Sequence, residues 1–425
     1  MVISAILTAI SMLVAFVILR SLLKVPLPLV FILAAIVGAL VGGFGIPLRH
    51  LVEGMYGYFH IVLVLVAAFI LISVVRKSGT LDVITRDVLV HFHNKPVSLL
   101  LLIIAILFVP GLFTGFGGVA VLTSGVIVAP ILLRVGIPKV ETAAIIALGA
   151  IFGMVAPPVN LPAFIIALGT NMPWVGFTLT LLVLSIPLAV FSVFFVGLPS
   201  YKSLSLNKVL EGLPNVKGSL KQYVPFIVIV LWWILIRAIP EYVPDPSNAL
   251  ILIVGALIAT VTGTKRVNFF KASKEGVKEP VLTLAVVLIG VAMIVQVMAL
   301  TGVRGLLISA SMSLRPPWTY LAIVISMPFL GGILTSLGSA DILGLPFAYA
   351  FIERNMIVNV SALSLIACLS ELFLPTAICG ILSASVVKEN NYLRVWRRCW
   401  IPIVVTAAVG ILMIVFSVLV GRVLT

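Results

Sequence analysis

Two stretches of the chain, 111–171 and 331–390, follow one plan: an apolar run broken by Gly, Thr and Ser, then a second apolar run broken by proline. In lipid, a broken helix leaves N–H and C=O groups unpaired at several kcal/mol each, so such a break persists only where protein, water, an ion or a substrate satisfies it. Paired breaks that face each other near the bilayer midplane are the usual site of a secondary transporter.

The surrounding sequence is that of a membrane protein. Of 425 residues, 62% are hydrophobic and 9% charged, with a mean hydropathy of +1.32, more apolar surface than a soluble fold can hide. Apolar runs near the roughly 20 residues needed to span a bilayer recur from end to end, leaving no room for a sizeable soluble domain. The first run, 2–19, has no basic residue before it and no A-x-A site after it, and reads as a retained spanning helix. Cys368, Cys379 and Cys399 lie in or beside apolar segments without C-x-x-C spacing, so neither a disulfide nor a metal is expected of them. The net charge of +14 is scattered singly between apolar runs, which argues against a nucleic-acid partner.

The expected fold is an all-α polytopic membrane protein of two inverted repeats, 1–198 and 222–425, joined by a polar cytoplasmic linker, 199–221. The first repeat has spans near 2–23, 27–44 and 58–75, a re-entrant hairpin over 97–136, a broken helix over 140–169 and a final span at 174–198. The second has spans near 222–239, 249–263 and 281–300, a hairpin over 318–353, a broken helix over 360–387 and a final span at 400–421. With re-entrant hairpins, 21 of the 27 lysines and arginines fall inside, Lys217 and Lys278 among them; Arg49, Arg237, Arg304, Arg315, Arg354 and Arg422 fall outside. That is the usual inward bias of positive charge, and it nearly vanishes if the hairpins cross fully. Trp174 and Trp318 then sit at the outer interface and Trp396 and Trp400 at the inner one, with Trp232 and Trp233 mid-span as lipid- or subunit-facing packing.

The candidate binding residues are those of the breaks. In the first tip, Gly111-Leu-Phe-Thr-Gly-Phe-Gly-Gly118, the residues Thr114, Gly115, Gly117 and Gly118 permit close backbone approach and offer oxygens to a cation. Thr123 and Ser124, one turn later, are expected to bond to their own helix. In the second break, Gly153-Met-Val-Ala-Pro-Pro-Val-Asn-Leu-Pro162, the prolines Pro157 and Pro158 end a helix and free the carbonyls of 153–156. A half-helix ending there suits Na⁺, and one starting near Asn160 presents N–H groups suited to a carboxylate.

The second half offers Thr335, Ser336, Gly338, Ser339 and Asp341 at its tip, and Glu371, Pro375 and Thr376 at its break. Asp341 and Glu371 are the carboxylates expected within the membrane, where acids usually belong to an ion or proton path; Asp341 alternatively caps the returning helix. Thr114, Ala156, Thr335 and Ser339 are the candidate Na⁺ ligands. No Lys or Arg lies inside these segments, so an anionic substrate would rely on helix N-termini and co-bound cations, which favours cation symport. His91 and His93 alternate in a basic stretch without a third ligand and read as solvated loop residues.

At these residues, Thr114-Gly115 through Arg134-Val-Gly-Ile-Pro138 and Gly153-Met-Val-Ala-Pro-Pro158, the chain resembles the large membrane subunit of the tripartite ATP-independent periplasmic (TRAP, DctM-like) transporters, within the wider group of inverted-repeat anion transporters. The resemblance covers essentially the whole chain. It implies an elevator mechanism driven by Na⁺ as coupling ion without other cofactors, an inner-membrane location, import of a C4-dicarboxylate or other carboxylate, a small four-helix membrane subunit and a periplasmic solute-binding protein. Phe116 stands where that family has a tip serine, and Glu371-Leu-Phe-Leu-Pro375 where it has a second Pro-Pro. A stand-alone citrate- or gluconate-type permease and an ion channel are the alternatives. No Ser-His pair, Asp-Asp pair or His-Glu cluster lies within the expected spans, so an enzyme is not expected.

Overall fold

The computed structural model describes residues 2–202, 204–211, 219–277 and 279–424. Lys217 and Lys278, and with them part of the expected linker, lie outside the described residues. Within the described residues every regular element is helical, and eight helices are long and apolar enough to cross a membrane.

The first half runs α1 (Val2–Val17, extended by a π turn at Ile18–Leu22), α2 (Leu27–Val41), α3 (Leu48–Gly57), α4 (Phe59–Lys77) and α5 (Thr80–Phe92). A hairpin follows, with α6 (Pro96–Thr114) entering and α7 (Gly117–Ala120), a π turn (Val121–Gly125) and α8 (Val126–Arg134) returning. The broken helix is α9 (Lys139–Val155) and α10 (Leu161–Gly169), and α11 (Phe177–Gly197) closes the half. After the short α12 (Leu206–Leu210), the second half repeats this order as α13 (Val224–Ala238), α14 (Asn248–Thr262), α15 (Phe269–Gly276), α16 (Glu279–Leu300) and α17 (Val303–Ser313). Its hairpin is α18 (Pro316–Ser339), a π turn (Ala340–Gly344) and α19 (Leu345–Ala350). Then come the broken helix, α20 (Met356–Cys368, with a 3₁₀ turn at Leu369–Leu372) and α21 (Ile378–Val386), and finally α22 (Tyr392–Val415) and α23 (Ser417–Leu424).

The duplication is close in register. The ends of the broken-helix segments recur at a shift of 217 positions: 139 to 356, 155 to 372, 161 to 378 and 169 to 386. The halves also pack reciprocally: α4 lies on α14 and α16 on α2, while α9 lies on α21 and α10 on α20.

Each hairpin returns to the end it started from. At the mouth of the first, the Tyr201 hydroxyl donates to His93 O and Lys202 N–H donates to Val135 O, so the residues before α6 and after α8 meet the same strand of linker. At the mouth of the second, the rings of Tyr320 and Phe351 stack with centroids 5.4 Å apart. The two mouths open at opposite ends of α22. Arg398, near its start, pairs with Glu141 beside the first mouth, and Arg354 beside the second donates to Ile414 O and Val415 O at its finish. At 1.5 Å per residue those anchor points are about 24 Å apart along the axis.

Five helices, α3, α5, α12, α15 and α17, lie outside the expected spans; all are short and carry charge. In α5, Asp82, Arg86, Asp87 and His91 break the hydropathy, yet Val83, Ile84 and Leu89 are buried. His91 and His93 therefore stand on and at the end of a helix rather than in a loop, their Nδ1 atoms 2.8 and 3.0 Å from the carbonyls of Asp87 and Leu89. The last long helix starts at Tyr392, not near 400: the Asn391 side chain caps it by accepting from Leu393 N–H, and exposed Arg394 and Arg397 carry their charge outward. Trp233 also differs from expectation. It is buried and stacks on Phe113 at 5.1 Å instead of facing lipid.

Single cysteines placed at Lys95 and Lys139 should react with an impermeant thiol reagent from the cytosolic side, and those at Arg315 and Glu353 from the opposite side. Labelling of all four from one face would overturn the inverted arrangement.

Candidate functional site

The first tip forms because Gly115 adopts φ +64°, a left-handed conformation that ends α6 and lets α7 restart at Gly117. Thr114 Oγ1 donates to Pro110 O at 2.6 Å and accepts from Phe116 N–H at 3.4 Å, so its hydroxyl closes the turn. Opposite, α9 stops at Val155, the Pro157–Pro158 bond is cis, and Asn160 starts α10. Asn160 is fully buried and its amide is engaged throughout: Oδ1 accepts from Ala163 N–H, while Nδ2 donates to Val155 O and Ser364 Oγ, both at 3.0 Å. Tip and break are joined by Val159 N–H donating to Leu112 O at 3.1 Å.

The glycines are where backbones touch. A Cβ on Gly111 would lie 2.6 Å from Gly153 C, one on Gly115 2.9 Å from Val159 O, and one on Gly117 2.5 Å from Cys379 Sγ. Gly118 and Gly153 are equally close, to the Phe116 ring and to the Phe108 backbone.

The second tip breaks at the equivalent position with different side chains and a different turn. Thr335 also has a positive φ, +66°, but a ψ of 171° against 17° at Gly115, at a shift of 220 positions (111 to 331, 115 to 335). The Leu374–Pro375 bond is cis, and Thr376 donates to Gly332 O from N–H at 2.9 Å and from Oγ1 at 2.8 Å. Gly331 packs on Ser370, and Gly338 faces Leu334 one turn back in its own helix. Ser339 Oγ donates to Met327 O.

Between this tip and break lies Glu371, 1% exposed. Its Oε1 accepts from Ser336 Oγ at 2.6 Å and Ser336 N–H at 3.2 Å, and Cys379 Sγ stands 3.7 Å from Oε2. No basic group forms an ion pair with it among the described residues. The neighbouring Thr335 hydroxyl is buried and, among the described residues, without a partner. Glu371 is thus an acid held by hydrogen bonds alone, next to a spare hydroxyl. Because Cys379 also abuts Gly117, the two tips and two breaks form one contiguous cluster.

Asp341 lies apart from it. It makes no capping bond; Arg304, from α17, pairs with it at 2.5 Å. A basic residue therefore reaches a hairpin whose own sequence contains none. Arg304, expected as a charge outside the membrane, instead follows a left-handed Gly302 that opens α17 as Gly79 opens α5. Thr123 bonds its own helix through Val119 O, as expected.

Two cavities flank the first hairpin. One of about 290 Å³ separates Thr123 and Ser124 from Tyr223 and Trp233. A second of about 230 Å³ brings His60, Asp245 and Asn248 to Phe113 and Val159 of the tip and break, with Trp233 between the two. These polar residues sit at helix ends where nothing in the linear pattern sets them apart; only the fold brings them to the tip.

No protein-family model matches this chain, and no curated protein does. A solved structure of MtrF from Neisseria gonorrhoeae, presented as illuminating a class of antimetabolite efflux pumps, is similar at a TM-score of 0.54 and 12% identity, over 96% of this chain and 98% of that one. The likeness is one of fold, that of a polytopic membrane protein. It does not single out the TRAP large subunit, so that resemblance rests on the residues quoted above.

The equivalent positive-φ positions should respond with opposite signs. Gly115→Ala should lower stability by about 1–3 kcal/mol, from strain and from the clash with Val159 O, whereas Thr335→Gly should raise it by up to about 1 kcal/mol. Thermal melting of the purified protein in one detergent checks both, and a neutral Gly115→Ala would contradict the tip geometry.

Proposed function

We propose that the chain is a secondary active transporter of the inner membrane that moves a small organic anion, a C4-dicarboxylate or related carboxylate, by Na⁺ symport. The observation that carries this reading is the pair of positive-φ tips, each docked by a backbone hydrogen bond into a cis-proline break, with the hairpin mouths at opposite ends of α22. The hairpins and broken helices of the two inverted repeats, 1–198 and 222–425, joined by the linker 199–221, would carry the substrate as an elevator against a fixed scaffold of the remaining helices.

The burial of Asn160 and Glu371 supports alternating access over an open pore, since a channel needs a continuous wet path past its polar groups. Glu371 and the Thr335 hydroxyl would hold the second-half cation, and the freed backbone near Ala156, with Thr114, the first. Bound cations would then offset the charge of the anion, which meets no lysine or arginine within the breaks themselves. By the resemblance, a four-helix membrane subunit and a periplasmic binding protein would complete the system. The fold likeness to MtrF favours one second reading, export of the anion instead of import.

Protein reconstituted in liposomes should accumulate a labelled C4-dicarboxylate only under an inward Na⁺ gradient. Glu371→Gln should lower the rate at least tenfold with melting unchanged within a few degrees. Transport indifferent to both Na⁺ and H⁺ gradients would overturn symport, and transport seen only from preloaded vesicles would establish the export reading.

A further inference from the structure

Some basic residues expected at the inner face are engaged within the protein. Arg134 donates to the carbonyls of Val209 and Glu211, and Arg398 pairs with Glu141. Four others, of which Lys77 is paired with Glu275, gather in one place. Lys77, the last residue of α4, converges with Lys265, Arg266 and Lys271 on one cavity of about 280 Å³, completed by Val267, Asn268 and Ala272.

The backbone that presents these cations is pinned. Lys265 N–H donates to Ser78 O at 3.1 Å, Thr264 Oγ1 to the same carbonyl at 3.0 Å, and Ser73 Oγ to Ala272 O at 2.8 Å, so the loop after α14 is held against the end of α4. Among the described residues one carboxylate answers the four cations: Glu275, paired with Lys77. The start of α15 is already capped, since Asn268 Oδ1 accepts from Lys271 N–H, so the anion-attracting groups are the side chains themselves.

The surroundings select the kind of anion. α15 buries Ala272 against α4 and turns Phe270 outward, 82% exposed, beside the cations. Val261, near the end of α14, is 78% exposed. Exposed aromatic and apolar side chains near a cluster of cations are the composition of a helix that meets a lipid interface. A soluble anion would gain nothing from Phe270 or Val261. We propose that Lys77, Lys265, Arg266 and Lys271 form a binding site for the phosphate head group of an anionic phospholipid of the inner leaflet, with its acyl chains along α14. Basic pockets between membrane helices on the cytoplasmic side take such head groups, and each cation is worth roughly fivefold in affinity.

The test uses the full chain in phosphatidylcholine nanodiscs doped with phosphatidylglycerol, read by native mass spectrometry and by melting temperature. The K265Q/R266Q/K271Q variant leaves the Lys77–Glu275 pair intact and should lose phosphatidylglycerol binding at least tenfold, with melting in pure phosphatidylcholine unchanged. A charge-matched control, K208Q/R394Q/R397Q, should bind as the wild type does, and K265R/K271R should retain the lipid. Equal loss in the control would reduce the effect to general surface attraction and overturn the site. So would undiminished binding in the first variant, or displacement of the lipid by millimolar inorganic phosphate, which would identify a soluble anion.

Discussion

A chain that interrupts its helices inside a bilayer must satisfy the backbone groups it sets free, and here one interruption satisfies the other. Val159 N–H reaches Leu112 O in the first half, and Thr376 N–H reaches Gly332 O in the second. Much of the local sequence follows from those two bonds. Backbones can approach that closely only where side chains are missing, hence Gly111 on Gly153 and Gly332 on the backbone after Glu371. The tips must reverse direction within a residue, hence the positive φ of Gly115 and Thr335. The buried hydroxyls of Thr114 and Ser339 serve the same end, each bonded to a carbonyl of its own hairpin.

The two halves share a plan but have diverged in chemistry. At the shift of 217 positions, Glu371 corresponds to Met154, Cys379 to Pro162 and Ala377 to Asn160. The first site braces itself with a fully engaged amide; the second buries an acid and leaves a hydroxyl open. The order of helices is shared between the halves, while the charged and hydrogen-bonding groups are not.

Much of this was legible in the sequence because the bilayer imposes a strong code. Long apolar runs mark out helices long enough to cross a membrane, and the Pro-Pro after Gly153 lies where α9 ends and before α10 begins. The bias of positive charge favoured hairpins that return, and the mouths at 93–135 and 320–351 do return. The rest was illegible for a common reason. An amphipathic helix such as α5 carries charges that resemble a loop to a hydropathy window, although Val83, Ile84 and Leu89 on its apolar face are buried. Partners distant in sequence, such as Arg304 for Asp341 or Trp233 for Phe113, leave no local trace, since only tertiary packing makes them neighbours.

One long helix ties the design together mechanically. Near its beginning α22 is fastened beside one mouth through Arg398, and at its finish beside the other through the carbonyls that Arg354 grips. A rod clamped at both ends is a ruler. The vertical offset between the two openings is thus set by peptide geometry, so a thinner or thicker bilayer must pucker around the protein instead of drawing its entrances together.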